Sequence, residues 1–195
     1  MSLSCRFYEH RYPELGDVVM VNDHRLAEMG AYVHLMEYDN IEGMILVSPI
    51  SRSQTKSLFK HIEVGRSECV VVIRADKDKG YIDLSKRRVP PEEITKCEEK
   101  FAKAKCVNSI LRHVAELLNY NSNEKLEELY MKTAWYFDRL FKKTGASYEA
   151  FKNAVTNPEV LDQCGLDKET KETLFNTLKS SNSFAMNCEC ETQEN

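Results

Sequence analysis

The chain has 195 residues, of which 42% are hydrophobic and 30% are charged, and its formal net charge is −4. This composition is typical of globular domains, and it argues against a fibre and against a protein that coats nucleic acid by charge alone. No stretch approaches the roughly 20 apolar residues that a membrane span needs, and the first residues do not resemble a signal peptide. We therefore expect a cytoplasmic protein without a membrane partner.

Seven cysteines are spread along the chain without a repeated spacing. This usage predicts free thiols in a reducing compartment. Cys188 and Cys190 are not followed by a second Cys or His pair, so we expect no metal site. The five histidines are dispersed and no glycine-rich phosphate loop occurs, so we expect no cofactor, no catalytic residue and no enzymatic activity.

Short strands with tight turns between them are predicted from residue 15 to residue 88. Five strands within about 70 residues, bounded by Gly, Asn and Asp, are typical of a small closed barrel. We therefore predict an oligonucleotide-binding type of β-barrel over residues 1–88. The strands are predicted at Asp17–Val21, Gly30–Met36, Glu42–Val47, Cys69–Arg74 and Tyr81–Ser85.

A polar loop follows the third predicted strand, which stops at Ser48 and Pro49. The loop carries four hydroxyl side chains, at Ser51, Ser53, Thr55 and Ser57. Such a stretch cannot be a buried connection, because its backbone and side chains need water or a partner. We expect an exposed loop that a kinase could phosphorylate.

The pattern changes at Val89–Glu93, where two prolines precede two glutamates, as at the start of a helix. Beyond it, apolar residues recur at helical spacing, and a helical bundle is predicted over residues 89–180. Ser122 or Asn123 is predicted to begin its second helix and Gly145 to end it. Residues 181–195 are mostly small and polar and are predicted to be a disordered tail. The predicted fold class is α+β with segregated domains.

Aromatic and basic residues of the predicted barrel could hold a single nucleic-acid strand. Tyr32 and Tyr38 would stack on bases, and basic side chains would contact phosphates. The alternative is that the tyrosines belong to the core and that the basic residues form a solvated edge. The candidate phosphate contacts are Arg74, Lys86, Arg87 and Arg88.

Several sequence runs resemble known proteins. Residues 30–33 (Gly-Ala-Tyr-Val), Glu42-Gly43 and residues 80–85 together resemble an S1 domain, a five-stranded oligonucleotide-binding barrel. Longer runs, and the helical half to about residue 180, resemble the family of alpha subunits of eukaryotic translation initiation factor two. These runs are residues 5–8, 27–32, 37–46, 79–88, 96–99, 109–116 and 133–135.

The resemblance implies a regulatory phosphorylation site at Ser51 and a docking surface for stress-activated protein kinases. It further implies that the phosphorylated form sequesters the nucleotide-exchange factor, and that the protein helps a heterotrimer deliver initiator tRNA to mRNA on the ribosome. Gly80 and Ile82 also have structural explanations, in a turn and in the core, so the outward side chains are expected to make the contacts. The implied docking residues are Lys79, Gly80, Tyr81, Ile82 and Asp83.

Three departures from the family pattern affect these expectations. The basic run after the serine keeps Arg52 and Lys56 but has lost charge between them, and Pro49 stands in place of an acidic residue. No counterpart of the family's third domain follows residue 180, so stable binding to the gamma subunit is not expected. A second hypothesis is therefore a freestanding decoy of the kinases. Because Ser51 is present, a competing substrate is the more natural form of that hypothesis.

Overall fold

A computed structural model of the chain describes residues 2–28, 30–46, 62–86, 89–181 and 184. The chain divides into two compact units. A barrel unit comprises residues 10–101, and a helical unit comprises residues 1–9 together with residues 102–195.

The barrel unit is a five-stranded closed barrel with the strand order β1-β2-β3-β5-β4, in which β4 pairs with β1 to close the sheet. Strands β3 and β5 are parallel, and the other four pairs are antiparallel. The predicted barrel and its five strands are confirmed. The strands are β1 (Val18–Ala27), β2 (Gly30–Leu35), β3 (Ile41–Leu46), β4 (Ser67–Asp76) and β5 (Tyr81–Ser85).

The barrel interior is filled by every second residue of the strands, as a period of two requires. Each of these side chains is at most 2% exposed, and most are β-branched or leucine. Backbones also approach closely here, since a Cβ on Gly30 would lie 1.9 Å from the Ile45 carbonyl oxygen. The interior residues are Val19, Val21, Ala31, Val33, Leu35, Ile45, Val70, Val72, Ile82 and Leu84.

Two strands contain register shifts. On β1, Asp23 pairs with Val33 and Arg25 with Tyr32, so one extra residue, His24, lies between two consecutive pairs. On β4 the shift lies between Val72 and Arg74. An extra residue twists a strand and changes which side chains point outward. The first shift determines which part of β1 faces Tyr32.

In the part of the chain that the structure describes, five α-helices follow the barrel strands. The first begins in the barrel unit and ends in the helical unit, because the units divide between Phe101 and Ala102. Within the described part of the chain, none of the helices combines the length and apolar character needed to cross a membrane. The helices are α1 (Pro91–Leu117), α2 (Asn123–Lys132), α3 (Ala134–Phe141), α4 (Ala146–Thr156) and α5 (Lys168–Ser180), with 3₁₀ turns at Met36–Tyr38 and Pro158–Cys164.

The first residues of the chain belong to the helical unit. Leu3 and Cys5 are part of its apolar core. The indole Nε1 of Trp135 donates a hydrogen bond to the Phe7 carbonyl oxygen at 3.1 Å. The guanidinium of Arg6 lies 4.5 Å from the centre of the Trp135 ring and 3.0 Å from a Glu127 carboxylate oxygen. The N-terminal segment therefore covers the lone tryptophan.

Several boundaries differ from the sequence-based ones; among the strands, β1 extends to Ala27 instead of ending at Val21. Residues 2–9, predicted to belong to the barrel, pack with the helices because Leu3 and Cys5 are buried there. The predicted second helix is interrupted at Thr133, and Gly145 lies at the start of α4. Phe184, inside the predicted disordered tail, is fully buried, and its ring centre lies 5.1 Å from that of Tyr148.

Replacing Phe184 with Ala is expected to lower the free energy of unfolding of the helical unit by about 3 to 5 kcal/mol, because a buried ring leaves a cavity. Trp135 lies in the same apolar cluster, so its fluorescence during urea unfolding reports the change. Phe141→Ala is the matched control, since that ring is 58% exposed. Equal losses for the two variants would contradict the burial of Phe184.

Candidate nucleic-acid interface

An aromatic and basic pair lies on the outer face of the barrel. Arg25 on β1 pairs in register with Tyr32 on β2, and Tyr32 pairs with Met44 on β3. The Arg25 guanidinium lies 4.5 Å from the centre of the Tyr32 ring. A guanidinium over a ring is a favourable cation–π arrangement that keeps both groups in place. The pair offers a flat face for a base and a fixed positive charge for a phosphate.

Two histidines lie beside this pair. The His24 and His34 rings are stacked, with their centres 4.5 Å apart and their planes at 25°. His24 is the extra residue of the β1 shift and is exposed, whereas His34 is half-buried on β2. Together with Arg25 and Tyr32 they form what we call the β1–β2 face. Sequence reasoning missed three of its four residues. His24 and Arg25 lie beyond the predicted end of the first strand at Val21, and the stacking of His34 on His24 cannot be read from the pattern of the second strand.

Tyr38 does not belong to this face. It lies in the 3₁₀ turn Met36–Tyr38 and is only 6% exposed. Burial, and then the nearby Glu37 carboxylate, raise the pKa of its hydroxyl above the ordinary value. The prediction that Tyr38 stacks on a base is therefore corrected: its ring is part of the core. The turn interrupts the alternation of β2, which is why the strand pattern did not reveal this.

The predicted basic residues are not gathered in one place. Arg74 is exposed on β4 and lies opposite Asp83 on β5, so Met44 and Asp83 separate it from Tyr32 around the barrel. Its guanidinium is 3.9 Å from the carboxylate of Asp76. Arg74 can therefore contact a phosphate, but only at a distance from the stacking face.

Lys86 is already engaged. Its Nζ lies 2.5 Å from a Glu68 carboxylate oxygen, and its side chain is only 16% exposed. The Glu68 carboxylate offsets the positive charge of Lys86, so this lysine is a poor candidate for a phosphate contact. Arg87 and Arg88 lie outside the described residues.

The proposed docking residues lie on the hairpin that joins β4 to β5. In its turn the Asp76 carboxylate accepts hydrogen bonds from the backbone N–H groups of Asp78 and Lys79, at 3.2 and 3.0 Å. The Gly80 N–H donates to the Asp76 carbonyl at 2.8 Å. Gly80 has φ of 72°, which a residue with a side chain adopts at a cost. The hairpin is therefore locally well determined.

Side chains alternate along β5. Tyr81 is 62% exposed, Ile82 is 2% exposed, and Asp83 is half-buried on the outer side. Lys79 in the turn is exposed. Lys79, Tyr81 and Asp83 can thus meet a partner, whereas Ile82 lies in the barrel core. Ser51 lies outside the described residues.

The structure offers little for a metal ion. Among the residues it describes, no group of three or more His, Cys, Asp or Glu side chains is arranged to hold one. Burial raises the pKa of the Cys69, Cys97 and Cys164 thiols, which opposes formation of the thiolate that binds metals.

Comparison with known proteins identifies the domains and the family of the chain. Residues 12–87 match the S1 RNA-binding domain, and residues 129–184 match the eukaryotic translation initiation factor 2 alpha subunit. Subunit 1 of eukaryotic translation initiation factor 2 from Dictyostelium discoideum is 49% identical over 175 residues, which are 89% of this chain and 50% of that protein. The alpha subunit from Arabidopsis thaliana is 50% identical over 173 residues, or 88% and 48%. The chain spans about half the length of these curated relatives.

Two solved structures share the fold. The intact alpha subunit of aIF2 from Pyrococcus abyssi has a TM-score of 0.72 at 24% identity, covering 89% of this chain and 64% of that one. The a/eIF2alpha chain from Pyrococcus horikoshii, solved in a complex with aDim2p and rRNA, has a TM-score of 0.64 at 27% identity, covering 86% and 96%. The chain is thus an S1-domain protein with a barrel followed by helices. It belongs to the family of alpha subunits of eukaryotic translation initiation factor 2.

Replacing Tyr38 with Ala is expected to destabilise the barrel by about 3 kcal/mol, because a buried ring is lost. Tyr81→Ala should change barrel stability by less than about 0.5 kcal/mol, as expected for an exposed side chain. Hydrogen exchange of peptides from β1 to β5 measures both effects. A small loss for Tyr38→Ala would contradict its assignment to the core, and a large loss for Tyr81→Ala would contradict its assignment to the surface.

Proposed function

We propose that the protein acts in translation initiation by binding RNA rather than by catalysis. The observation that carries the proposal is the Arg25–Tyr32 pair on a barrel that matches the S1 RNA-binding domain. The relatives that are about 50% identical to this chain are subunits of an initiation factor, which supports a role in translation initiation. The rRNA in the Pyrococcus horikoshii complex supports RNA as the ligand.

The β1–β2 face would contact initiator tRNA, mRNA or the ribosome. One base would stack on the exposed part of Tyr32 or on the His24–His34 pair, and Arg25 would contact a neighbouring phosphate. The formal charge of the whole chain is −4, so contacts of this kind are expected to be weak when the chain is alone. The cytoplasm is the compartment in which such a factor works.

Replacing Tyr32 with Leu is expected to weaken binding of a labelled single-stranded RNA by about tenfold or more, because base–aromatic stacking contributes roughly 1 to 3 kcal/mol. Leu retains the apolar part of the side chain, so the barrel should stay folded. Fluorescence anisotropy at two salt concentrations measures the affinity.

Tyr81→Leu is the matched control, because it removes an exposed tyrosine on β5, away from the β1–β2 face. Arg25→Gln should also weaken binding and reduce its salt dependence. Equal loss for Tyr32→Leu and Tyr81→Leu, or no loss for Tyr32→Leu, would contradict the proposal.

We also propose that protein kinases activated by stress phosphorylate Ser51 after docking on the β4–β5 hairpin. The exposed Lys79 and Tyr81 and the outward-facing Asp83 support this surface. A phosphate adds about −1.5 to −2 charges, enough to change which partners bind a loop. The nucleotide-exchange factor of the initiation complex would bind the phosphorylated loop through that charge.

Tyr81→Ala is expected to slow phosphorylation of Ser51 by about tenfold, since exposed aromatic residues often dominate a docking interface. The assay uses an activated initiation-factor kinase and mass spectrometry of the intact chain, with Ser51→Ala to locate the phosphate. Leu15→Ala is the control, because Leu15 is 73% exposed in the same unit. Unchanged phosphorylation of Tyr81→Ala would contradict docking on the hairpin.

The same assay tests the second candidate, a freestanding decoy or competing substrate. The exposed and locally well-determined hairpin is also compatible with this candidate, because docking on it alone would let the chain compete for the kinase. Inhibition of the kinase by the Ser51→Ala chain would support a decoy. Inhibition that requires Ser51 would support a competing substrate, and the absence of inhibition would favour a regulated subunit.

A further inference from the structure

A buried carboxylate lies on β1 at the start of the register shift. Asp23 is 1% exposed. Its backbone is held on both sides, because its N–H donates to the Arg66 carbonyl at 2.9 Å and its carbonyl accepts from the Gly65 N–H at 2.8 Å. The side chain therefore cannot reach water without a movement of β1.

The group that Asp23 faces is a second carboxyl, that of Glu68 on β4. Among the described residues, no donor reaches either carboxylate oxygen of Asp23 or the Oε1 atom of Glu68, and all three atoms are buried. The other Glu68 oxygen, Oε2, lies 2.5 Å from the Lys86 Nζ. The positive charge of Lys86 therefore acts on two carboxyl groups, those of Glu68 and Asp23.

The charges of this cluster do not balance if both acids are ionised. Two carboxylates and one ammonium leave a net charge of −1 in a buried place, which is costly. Arg66 also lowers the pKa of Asp23, but less than Lys86 does, and Arg66 is exposed to solvent. A single proton held between Asp23 and Glu68 restores neutrality and supplies the missing donor, because one carboxyl O–H then donates to the other carboxylate.

Within the ranges that the structure describes, the elements around Asp23 supply no titratable partner beyond three. The groups acting on Asp23 are Glu68 from β4, Lys86 after β5, and Arg66 before β4. β2 presents the apolar Val33 opposite Asp23, and the His24–His34 stack lies on the outer face. Burial first, and then Glu68, raise the pKa of Asp23 to about 7.

We propose that Asp23 and Glu68 form a proton-dependent latch between β1 and β4, the strands whose pairing closes the barrel. With the shared proton the two side chains attract each other across the seam. Without it they repel, and the seam loosens beside the register shift that places Arg25 on the β1–β2 face. The latch would make the barrel tighter in mildly acidic than in alkaline conditions.

The direction of this pH dependence follows from the linkage between proton binding and folding. The pKa of Asp23 is higher in the folded chain than the value near 3.8 of an exposed aspartate, so the folded state binds more protons between these two values. The stabilisation is fully present below the unfolded pKa and is lost as the pH rises through about 7. Ordinary paired carboxylates have the opposite dependence.

The test is hydrogen exchange of the full chain between pH 5 and pH 8, corrected for intrinsic amide chemistry, together with a ¹³C titration of the Asp23 carboxyl. We expect a titration midpoint near 7. Exchange in β1 and β4 should accelerate by on the order of tenfold or more over this range. Peptides from the helical unit serve as the internal reference.

Asp23→Asn should remove the acceleration, and Asp23→Val, which also lacks a charge, should do the same if the Asn variant folds poorly. Glu42→Gln is the control, because Glu42 is exposed on β3. A carboxyl midpoint near 4, or pH dependence that persists in both Asp23 variants, would overturn the latch. A midpoint that falls when Mg²⁺ or Ca²⁺ is added would also overturn it, by showing that the pair holds a cation instead.

Discussion

Closure of a five-stranded sheet on itself is the constraint on which the barrel unit depends. β4 must pair with β1 while β3 pairs in parallel with β5, and closure leaves no free sheet edge. The small interior accepts only one face of each strand, so the alternate residues must face outward. This is why Val33 is buried while Tyr32 is half-buried on the outer side, and why Ile82 is buried while Tyr81 is exposed. The side chains of the candidate interfaces face outward because their neighbours along each strand fill the barrel interior.

The register shift in β1 determines which side chains the closed barrel presents beside Tyr32. It inserts His24 and brings Arg25 opposite Tyr32, which creates the cation–π pair. On the inner side of the same shift lies Asp23, against Glu68. The outward binding face therefore depends on this irregularity, whereas Asp23 still follows the regular register that precedes it.

Much of this fold could be predicted from the sequence, because alternation and helical spacing are local signals. The five strands and the change to helices at Val89–Glu93 follow from such signals. The features that the sequence did not reveal depend on contacts between residues that are far apart in the chain. The first eight or so residues show no pattern that assigns them to the helices, and their contacts with Trp135 and with the apolar core explain their place. Phe184 is an isolated ring in a polar run, and its burial depends on Tyr148.

The candidate site was predictable only in part, for a related reason. Tyr32 and the exposed residues of the β5 hairpin follow from alternation. Arg25 and His24 do not, since an extra residue in a strand cannot be read from periodicity, and Tyr38 was misassigned because a 3₁₀ turn changes the period. The family resemblance, now supported by relatives at 49% and 50% identity, supplied roles that no pattern within the chain could supply.

The most direct test of the central claim is photo-crosslinking of the full chain to a 4-thiouridine-labelled RNA, with the crosslinked peptides identified by mass spectrometry. If the barrel binds RNA through the β1–β2 face, the crosslinks will map to peptides that contain Arg25 and Tyr32. Crosslinks confined to the helical unit or to the β4–β5 hairpin, or no crosslinks at all, would contradict it.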